Sequence, residues 1–349
     1  MARKNSRGNQ TGSPKGASGP PAPPPVQVAP EPAGTSGAQF PIVGIGASAG
    51  GVEAFSQILR ALPADTDMGF VLILHLDPTH ASLLTEILSR ATSMPVSEVT
   101  DQMAVEPNHV YVIPPGVNMD ITRGILRLSP RTHLRGQQRT IDHFLQSLAE
   151  DQHHRAIGVI LSGSATDGTL GLEAIKAEGG LTFAQDETAQ HGSMPKSAVA
   201  AGCVDLVLPP AAIAQEIARI SRHPFLARET EEQVEAVEPS LKHVLDQLRG
   251  VTGVDFSQYK RNTLYRRIVR RAVLHQMEAL KDYAQFLQSN PAEVEALFQD
   301  VLINVTSFFR NPGAFDVLKT RVFPALTRDR SRHDPLRLWV IGCSTGEEA

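Results

Sequence analysis

From Phe40 to about Phe225 short, unbroken apolar runs alternate with amphipathic stretches, and this pattern narrows the choice of fold more than any other feature of the chain. The runs PIVGIG, FVLILHL, HVYVIPP and AIGVILSG show none of the in–out alternation of a strand with one wet face. Between them, LLTEILSRA, IDHFLQSLAE and LGLEAIKAEGG carry apolar residues at helical spacing. Strands buried on both faces and separated by helices predict an α/β domain built on a doubly wound, mostly parallel sheet.

On either side of that region the pattern stops. Residues 1–38 are rich in Gly, Pro, Ser and Ala and hold eight of the 25 prolines. They offer too little apolar surface to offset the entropy of ordering, so a disordered tail is expected. Residues 226–240 turn polar and acidic, with Glu229, Glu231, Glu232, Glu235 and Glu238, which predicts a linker. From 241 to 305 only helical periodicity remains, as in LYRRIVRRAVL and VEALFQDVL, and a small all-α domain is expected. Residues 306–349 return to a strand-like run, LRLWVIG, read as the start of a third domain.

The 349 residues, 41% hydrophobic and 20% charged, suffice for two compact domains. A formal net charge of -4 supplies no global field for nucleic acid or for a membrane surface. The two cysteines, Cys203 and Cys343, have no paired spacing, which argues against a disulfide framework and points to a reducing cytoplasm. The basic start MARKNSRGNQTG leads into no apolar segment, and nowhere do 18 apolar residues run together, so neither secretion nor membrane insertion is expected.

Within the first apolar unit, PIVGIGASAGGVEAF reads as strand, sharp turn and helix, and residues 46–50 match GxSxG around Ser48. Small neighbours let the backbone bend and expose the hydroxyl. A base must take its proton, and the helix start beyond offers N–H groups to a developing oxyanion. A rival reading uses the same glycines, because Gly44, Gly46, Gly50 and Gly51 resemble a dinucleotide-binding turn. The third glycine is displaced, however, and His75 stands where an acidic residue is expected about 20 residues on. A tight turn with only a structural role is the third option.

His75 closes the second apolar run, where a strand end would bring it beside the first loop as a base; a core or capping histidine is the alternative. Asp167 lies in a later strand–turn–helix, AIGVILSGSATDGTLGLEAI, suited to orient His75 and support its cation, or simply to cap the following helix. The three residue types complement one another. His80 is badly spaced from His75 for two ligands on one helical face, and His153–His154 reads as a solvated loop pair, so no metal site is expected.

These segments resemble the chemotaxis protein-glutamate methylesterases, the CheB family, from about Phe40 to Phe225. The resemblance rests on IGASAGG after the first strand, a His after the next, a strand-end SGSATDG, and Met194–Pro195 followed by Ala198. It implies Ser48 as nucleophile, His75 as general base and Asp167 as its orienting partner. The backbone N–H of Ser164, where the family usually has Met, would help form the oxyanion hole. The implied reaction is cofactor-free hydrolysis of glutamate γ-methyl esters on methyl-accepting chemotaxis or sensory receptors, with glutamine deamidation by the same route. The order Ser, His, Asp differs from that of α/β-hydrolases, chymotrypsin and subtilisin. Family members commonly carry an N-terminal receiver domain, but only the tail precedes Phe40; direct phospho-control is therefore not expected, and a histidine kinase or response regulator would act as a separate partner. HLDPTHASLL and LSGSATDGTLGL look more like fused methylesterase–methyltransferase proteins.

The second half fits such a fusion. VTGVDFSQYKRNTLYRRIVRR, LINVTSFFRNP and LWVIGCSTGEEA resemble, in order, the chemotaxis-receptor methyltransferases, the CheR family. By that resemblance Asn304, Thr306, Arg310 and Glu348 contact S-adenosylmethionine, with residues 342–346 approaching it; Ala349 stands where the family usually has Pro. Roughly 40 residues after Thr306 fall short of a Rossmann-like domain of about 100. A fragment without transferase activity is therefore expected, its LRLWVIG strand short of neighbours.

Lys260, Arg261, Arg266, Arg267, Arg270 and Arg271 accompany Leu264, Ile268 and Ala272 at four-residue spacing, which predicts a helix with separate charged and core faces. The charged face would be solvated, or would dock acidic receptor helices. Nucleic acid is disfavoured because few aromatics interleave. For the whole protein, the competing reading is a catalytically silent receptor-binding scaffold.

Overall fold

The computed structural model describes residues 40–75, 83–131, 139–223, 238–302, 312–328 and 337–340. The expected tail and most of the expected linker lie outside them.

The α/β domain begins β1 (Ile42–Ala47), α1 (Gly51–Ala61), β2 (Gly69–Leu74), α2 (Leu84–Ser89), β3 (Val96–Glu98), β4 (Met103–Ala104), β5 (Val110–Val112), β6 (Val117–Thr122) and β7 (Ile125–Pro130). It continues α3 (Thr140–Gln152), β8 (Ala156–Ile160), α4 (Thr169–Ala177), β9 (Leu181–Gln185), α5 (Ser193–Ala200), β10 (Leu206–Leu208) and α6 (Pro210–Ser221). Seven strands form one sheet in the order β10-β9-β8-β1-β2-β5-β3, and every pairing is parallel. A small antiparallel sheet, β4-β7-β6, sits apart from it.

Both faces of the large sheet are covered. Val43, Ile45 and Ala47 of β1 and Phe70, Leu72 and Leu74 of β2 pack with α1 and α6. Ile42, Val71 and Ile73 point the other way, into a second core with Ile141, Phe144 and Leu145 of α3 and Leu172 and Ile175 of α4. This two-sided burial is why the strands read as continuous apolar runs.

A helical unit follows: α7 (Glu238–Thr252), α8 (Arg261–Leu274), α9 (Leu280–Gln288) and α10 (Pro291–Val301), with a core that includes Leu241, Val244, Leu264, Ile268, Tyr283 and Leu297. Helix α7 starts at Glu238, inside the expected linker, because Leu241, Val244 and Leu248 supply it with a buried stripe. Helices α11 (Pro312–Val317) and α12 (Phe323–Thr327) flank a π-helical turn at Leu318–Val322. Arg337–Val340, expected to be a strand, form none, and Trp339 is 87% exposed. A strand needs a ladder partner, and no described strand pairs with these residues.

Arg267 and Arg270 of α8, expected on a solvated or docking face, are buried. Val269 and Val273 insert into the core of the α/β domain, while Leu264, Ile268 and Ala272 serve the helical core. Arg267 donates to the carbonyls of Lys176 and Ala177, satisfying the last carbonyls of α4. Arg270, fully buried, donates to Gly180 O at 2.8 Å and bridges Asp205 of the α/β domain and Asp300 of α10. Lys260 and Arg261 remain exposed, Arg261 at 2.9 Å from Glu238.

Candidate active site

The strand order places β1 between β8 and β2, the crevice at which chains of this topology build their sites. Ala47 pairs with Leu74, so Ser48 and His75 are the next residues on neighbouring strands, which lie about 4.8 Å apart. Ser48 sits in a tight turn whose Gly50 has φ 76, a left-handed conformation that glycine adopts without strain. Its N–H donates to Ser162 O and its carbonyl accepts from Gly51, both at 2.9 Å.

The loop after β8 presses against this turn. Ser162 donates from Oγ to Ala49 O at 2.8 Å, accepts from His191 N–H at 3.0 Å, and donates its own N–H to Gln185 Oε1 at 2.9 Å. At Gly163 a Cβ would lie 2.1 Å from Met194 Sδ and 3.0 Å from the Ser48 Cβ. The N–H groups of Ser48 and Gly163 are both engaged, the latter to His191 O at 2.8 Å. Ser164, exposed, is the next amide along this loop.

Asp167 directly contacts His75: Oδ2 lies 2.7 Å from His75 Nε2. The carboxylate is almost fully buried and accepts three further bonds, from Ile141, Asp142 and Gly168 N–H, each at 2.9 Å. Arg131 lies close enough for Asp167's charge to act on it, although burial outweighs that attraction and lowers the Arg131 pKa. The structure therefore joins His75 to Asp167 directly, brings Ser48 alongside by strand register, and sets Ser164 in the loop that touches Ser48. Asn304, Thr306, Arg310, Glu348 and His80 lie outside the described residues.

The rival dinucleotide reading fails on geometry. Gly44 and Gly46 belong to β1, and a Cβ on either would strike α3, at 2.7 Å from Leu145 Cδ2 and 2.3 Å from Ile141 Cγ2. They serve helix–sheet packing rather than a phosphate. The His153–His154 pair also divides. His153 is exposed beside Glu178 at 3.0 Å, whereas His154 is half-buried, and desolvation aided by Arg266 and Arg155 lowers its pKa to about 3. Among the described residues no group of three or more His, Cys, Asp and Glu is placed to hold a metal, and no helix is long and apolar enough to cross a membrane. Sequence reasoning missed Asp142, Ser162 and Gln185; only their long-range bonds mark them out.

The switch point of the parallel sheet thus carries Ser48 beside a His75–Asp167 pair, so this is an α/β domain with the residue types a serine hydrolase needs. The chain belongs to the CheB methylesterase family, whose model matches residues 43–217. Residues 239–302 match the all-alpha domain of CheR methyltransferase, and residues 304–349 match its SAM binding domain. Among relatives, an "Uncharacterized 104.1 kDa protein in hypE 3'region" of Rhodobacter capsulatus is 35% identical over 289 residues, covering 76% of this chain and 30% of that protein. Protein-glutamate methylesterase/protein-glutamine glutaminase 1 of Geobacter sulfurreducens is 33% identical, with 56% of each chain covered. Protein-glutamate methylesterase/protein-glutamine glutaminase 2 of Burkholderia lata is 38% identical over 56% of this chain and 58% of that one. The chain thus spans less than two thirds of each of these relatives. The crystal structure of the Thermotoga maritima CheB methylesterase catalytic domain is 29% identical, with a TM-score of 0.48, over 52% of this chain and 98% of that one.

Proposed function

We propose that the α/β domain, residues 39–225, hydrolyses glutamate γ-methyl esters on methyl-accepting chemotaxis or sensory receptors, with Ser48, His75 and Asp167 as its catalytic triad. The observation that carries this reading is the 2.7 Å His75–Asp167 pair beside a serine held in strand register with His75. Because Asp167 engages Nε2, Nδ1 of His75 takes the Ser48 proton as Oγ attacks the ester carbonyl. The Ser164 N–H faces the oxygen on which negative charge develops. Collapse breaks the ester bond, His75 returns the proton to the departing methoxide, and methanol leaves. Water, deprotonated by His75, then attacks acyl-Ser48; the carboxylic acid forms and the serine regains its proton. Glutamine side chains would follow the same path, with ammonia leaving.

The segment expected as a linker over 226–240 ends where α7 begins at Glu238, and the helical unit, expected over 241–305, and the CheR-like opening at 306–349 follow. S-adenosylmethionine would supply the methyl group for the opposing methylation; Asn304, Thr306, Arg310 and Glu348, which would contact it by resemblance, lie outside the described residues. The test is methanol release from methyl-labelled receptor. Ser48→Ala, His75→Ala and Asp167→Ala are each expected to lower turnover by about 10³-fold or more. A folded wild type that binds receptor yet releases no methanol would establish the silent-scaffold alternative instead.

A further inference from the structure

Helices α3 and α4 both begin beside Asp167, and neither is capped by its own N-cap side chain. The first N–H groups of a helix have no acceptor within it. Here they are satisfied crosswise. Asp167, on the approach to α4, accepts from Ile141 and Asp142 N–H of α3, and Asp142, in the first turn of α3, accepts from Gly171 N–H of α4, all at 2.9 Å. Gly171 permits this closeness, since a Cβ there would lie 2.4 Å from the Leu145 Cβ. Asp142 is 4% exposed. Its charged neighbours are Asp167 and, at 4.0 Å, Arg139; His75 and Arg131 bear on it through Asp167.

We propose that Asp142 is a positioning residue for the esterase site. Its bond to Gly171 closes a reciprocal lock between the starts of α3 and α4, which holds the Asp167 carboxylate against His75. The loop carrying Asp167 also contains Ala165, with φ 71, a left-handed conformation that costs a non-glycine residue energy unless its surroundings impose it. Without the lock, α4 and this loop are free to draw Asp167 away from His75. The inference rests on the proposed triad but is separable from it.

The test uses the full chain at pH 8, above the value of about 6 to which burial pushes the Asp142 carboxyl against the opposing Gly171 hydrogen bond. Asp142→Asn keeps an oxygen for Gly171 and loses the charge; Asp142→Ala loses both. The Ala variant alone also releases Asp167, so the His75 ring proton that faces this carboxylate, followed by NMR, should exchange with solvent faster than in the Asn variant. Its kcat for methanol release should fall about ten-fold with KM little changed, whereas Asn retains most of the turnover. Equal exchange at the His75 ring proton and equal kcat in the two folded variants would overturn the proposal. So would rapid hydrogen exchange at the Gly171 amide of the wild type, a measurement that needs no variant. If the wild type releases no methanol while the His75 ring proton still exchanges differently in the two variants, the lock stands and the esterase reading falls.

Discussion

Arg270 is the sharpest test of how the α/β and helical units are joined. Its guanidinium is fully buried, lies 2.5 Å from Asp205 and 2.6 Å from Asp300, and also donates to Gly180 O. Replacement by Met keeps much of the buried stem but leaves two carboxylates whose side chains are only 3% and 7% exposed. Removing one partner of such a network costs about 3–5 kcal/mol, mostly because the remaining charges stay dry and unpaired. Two cations soften the loss: Lys176 lies 3.5 Å from Asp205, and Arg271 lies 3.7 Å from Asp300. The lower end, about 3 kcal/mol, is therefore expected for Arg270→Met. At a urea slope of ~2 kcal/mol/M this moves the midpoint by ~1.5 M. The assay is urea unfolding of the full chain followed by circular dichroism, repeated for Arg270→Met combined with Asp205→Asn and Asp300→Asn. Asp205 also accepts from Thr182 N–H at 3.0 Å and Oγ1 at 2.9 Å, and Asn keeps an acceptor for them, so the triple variant should recover at least half of the loss. A single variant within ~0.3 M of wild type would refute the buried bridge, and a triple variant no better than the single would refute uncompensated charge as the cause.

Three other outcomes follow from local geometry. Gly163→Ala drives a Cβ into Met194 and Ser48 and is expected to cost about 1–3 kcal/mol of stability and about 100-fold in kcat; adding Met194→Ala should restore stability without turnover, as urea midpoints and methanol release will report. His154 binds its proton at about pH 3 when folded and near 6.5 when unfolded, so the unfolded state holds more protons between those values and stability falls as pH drops through that window; His154→Gln should lose less stability than wild type between pH 8 and pH 5. Burial works against the Glu293 charge, but hydrogen bonds from Arg271, Tyr283 and His275 outweigh it and lower its pKa. Its contribution is therefore complete above the unfolded value of about 4.5 and lost as pH falls through the folded pKa, and Glu293→Gln should cost about 2–3 kcal/mol at pH 7, measured by thermal or urea unfolding.

The Asp167 carboxylate shows how one residue can serve two roles that the sequence presents as alternatives. Read along the chain, an Asp before a helix is either a cap or a partner for a histidine. In the fold it is both: it caps α3, a helix distant in sequence, while holding His75. The N–H bonds that favour its charged form also fix its direction.

Much of this molecule was legible in the amino-acid order. Continuous apolar runs gave β1, β2, β5 and β8, and helical spacing gave α2, α3, α4 and the all-α unit, because side-chain periodicity follows directly from backbone geometry. The turn around Ser48, the position of His75 at a strand end and the loop bearing Asp167 were visible for the same reason. The partners were not. The glycines around Ser48 left a nucleotide-binding turn open, as a poor match, until α3 lay across Gly44 and Gly46. The arginines of α8 looked like a solvated or docking face until Val269 and Val273 turned that face into the α/β core and Asp205 and Asp300 closed on Arg270. Asp142 carried no signal of its own, because its bond to Gly171 joins residues 29 positions apart. The run LRLWVIG had a strand's composition, but Arg337–Val340, the part of it that is described, found no ladder among the described residues. Periodicity records which face of an element is apolar; what meets that face, and which buried charge finds its counter-charge, depends on residues far away in the chain, and only the tertiary structure brings them together.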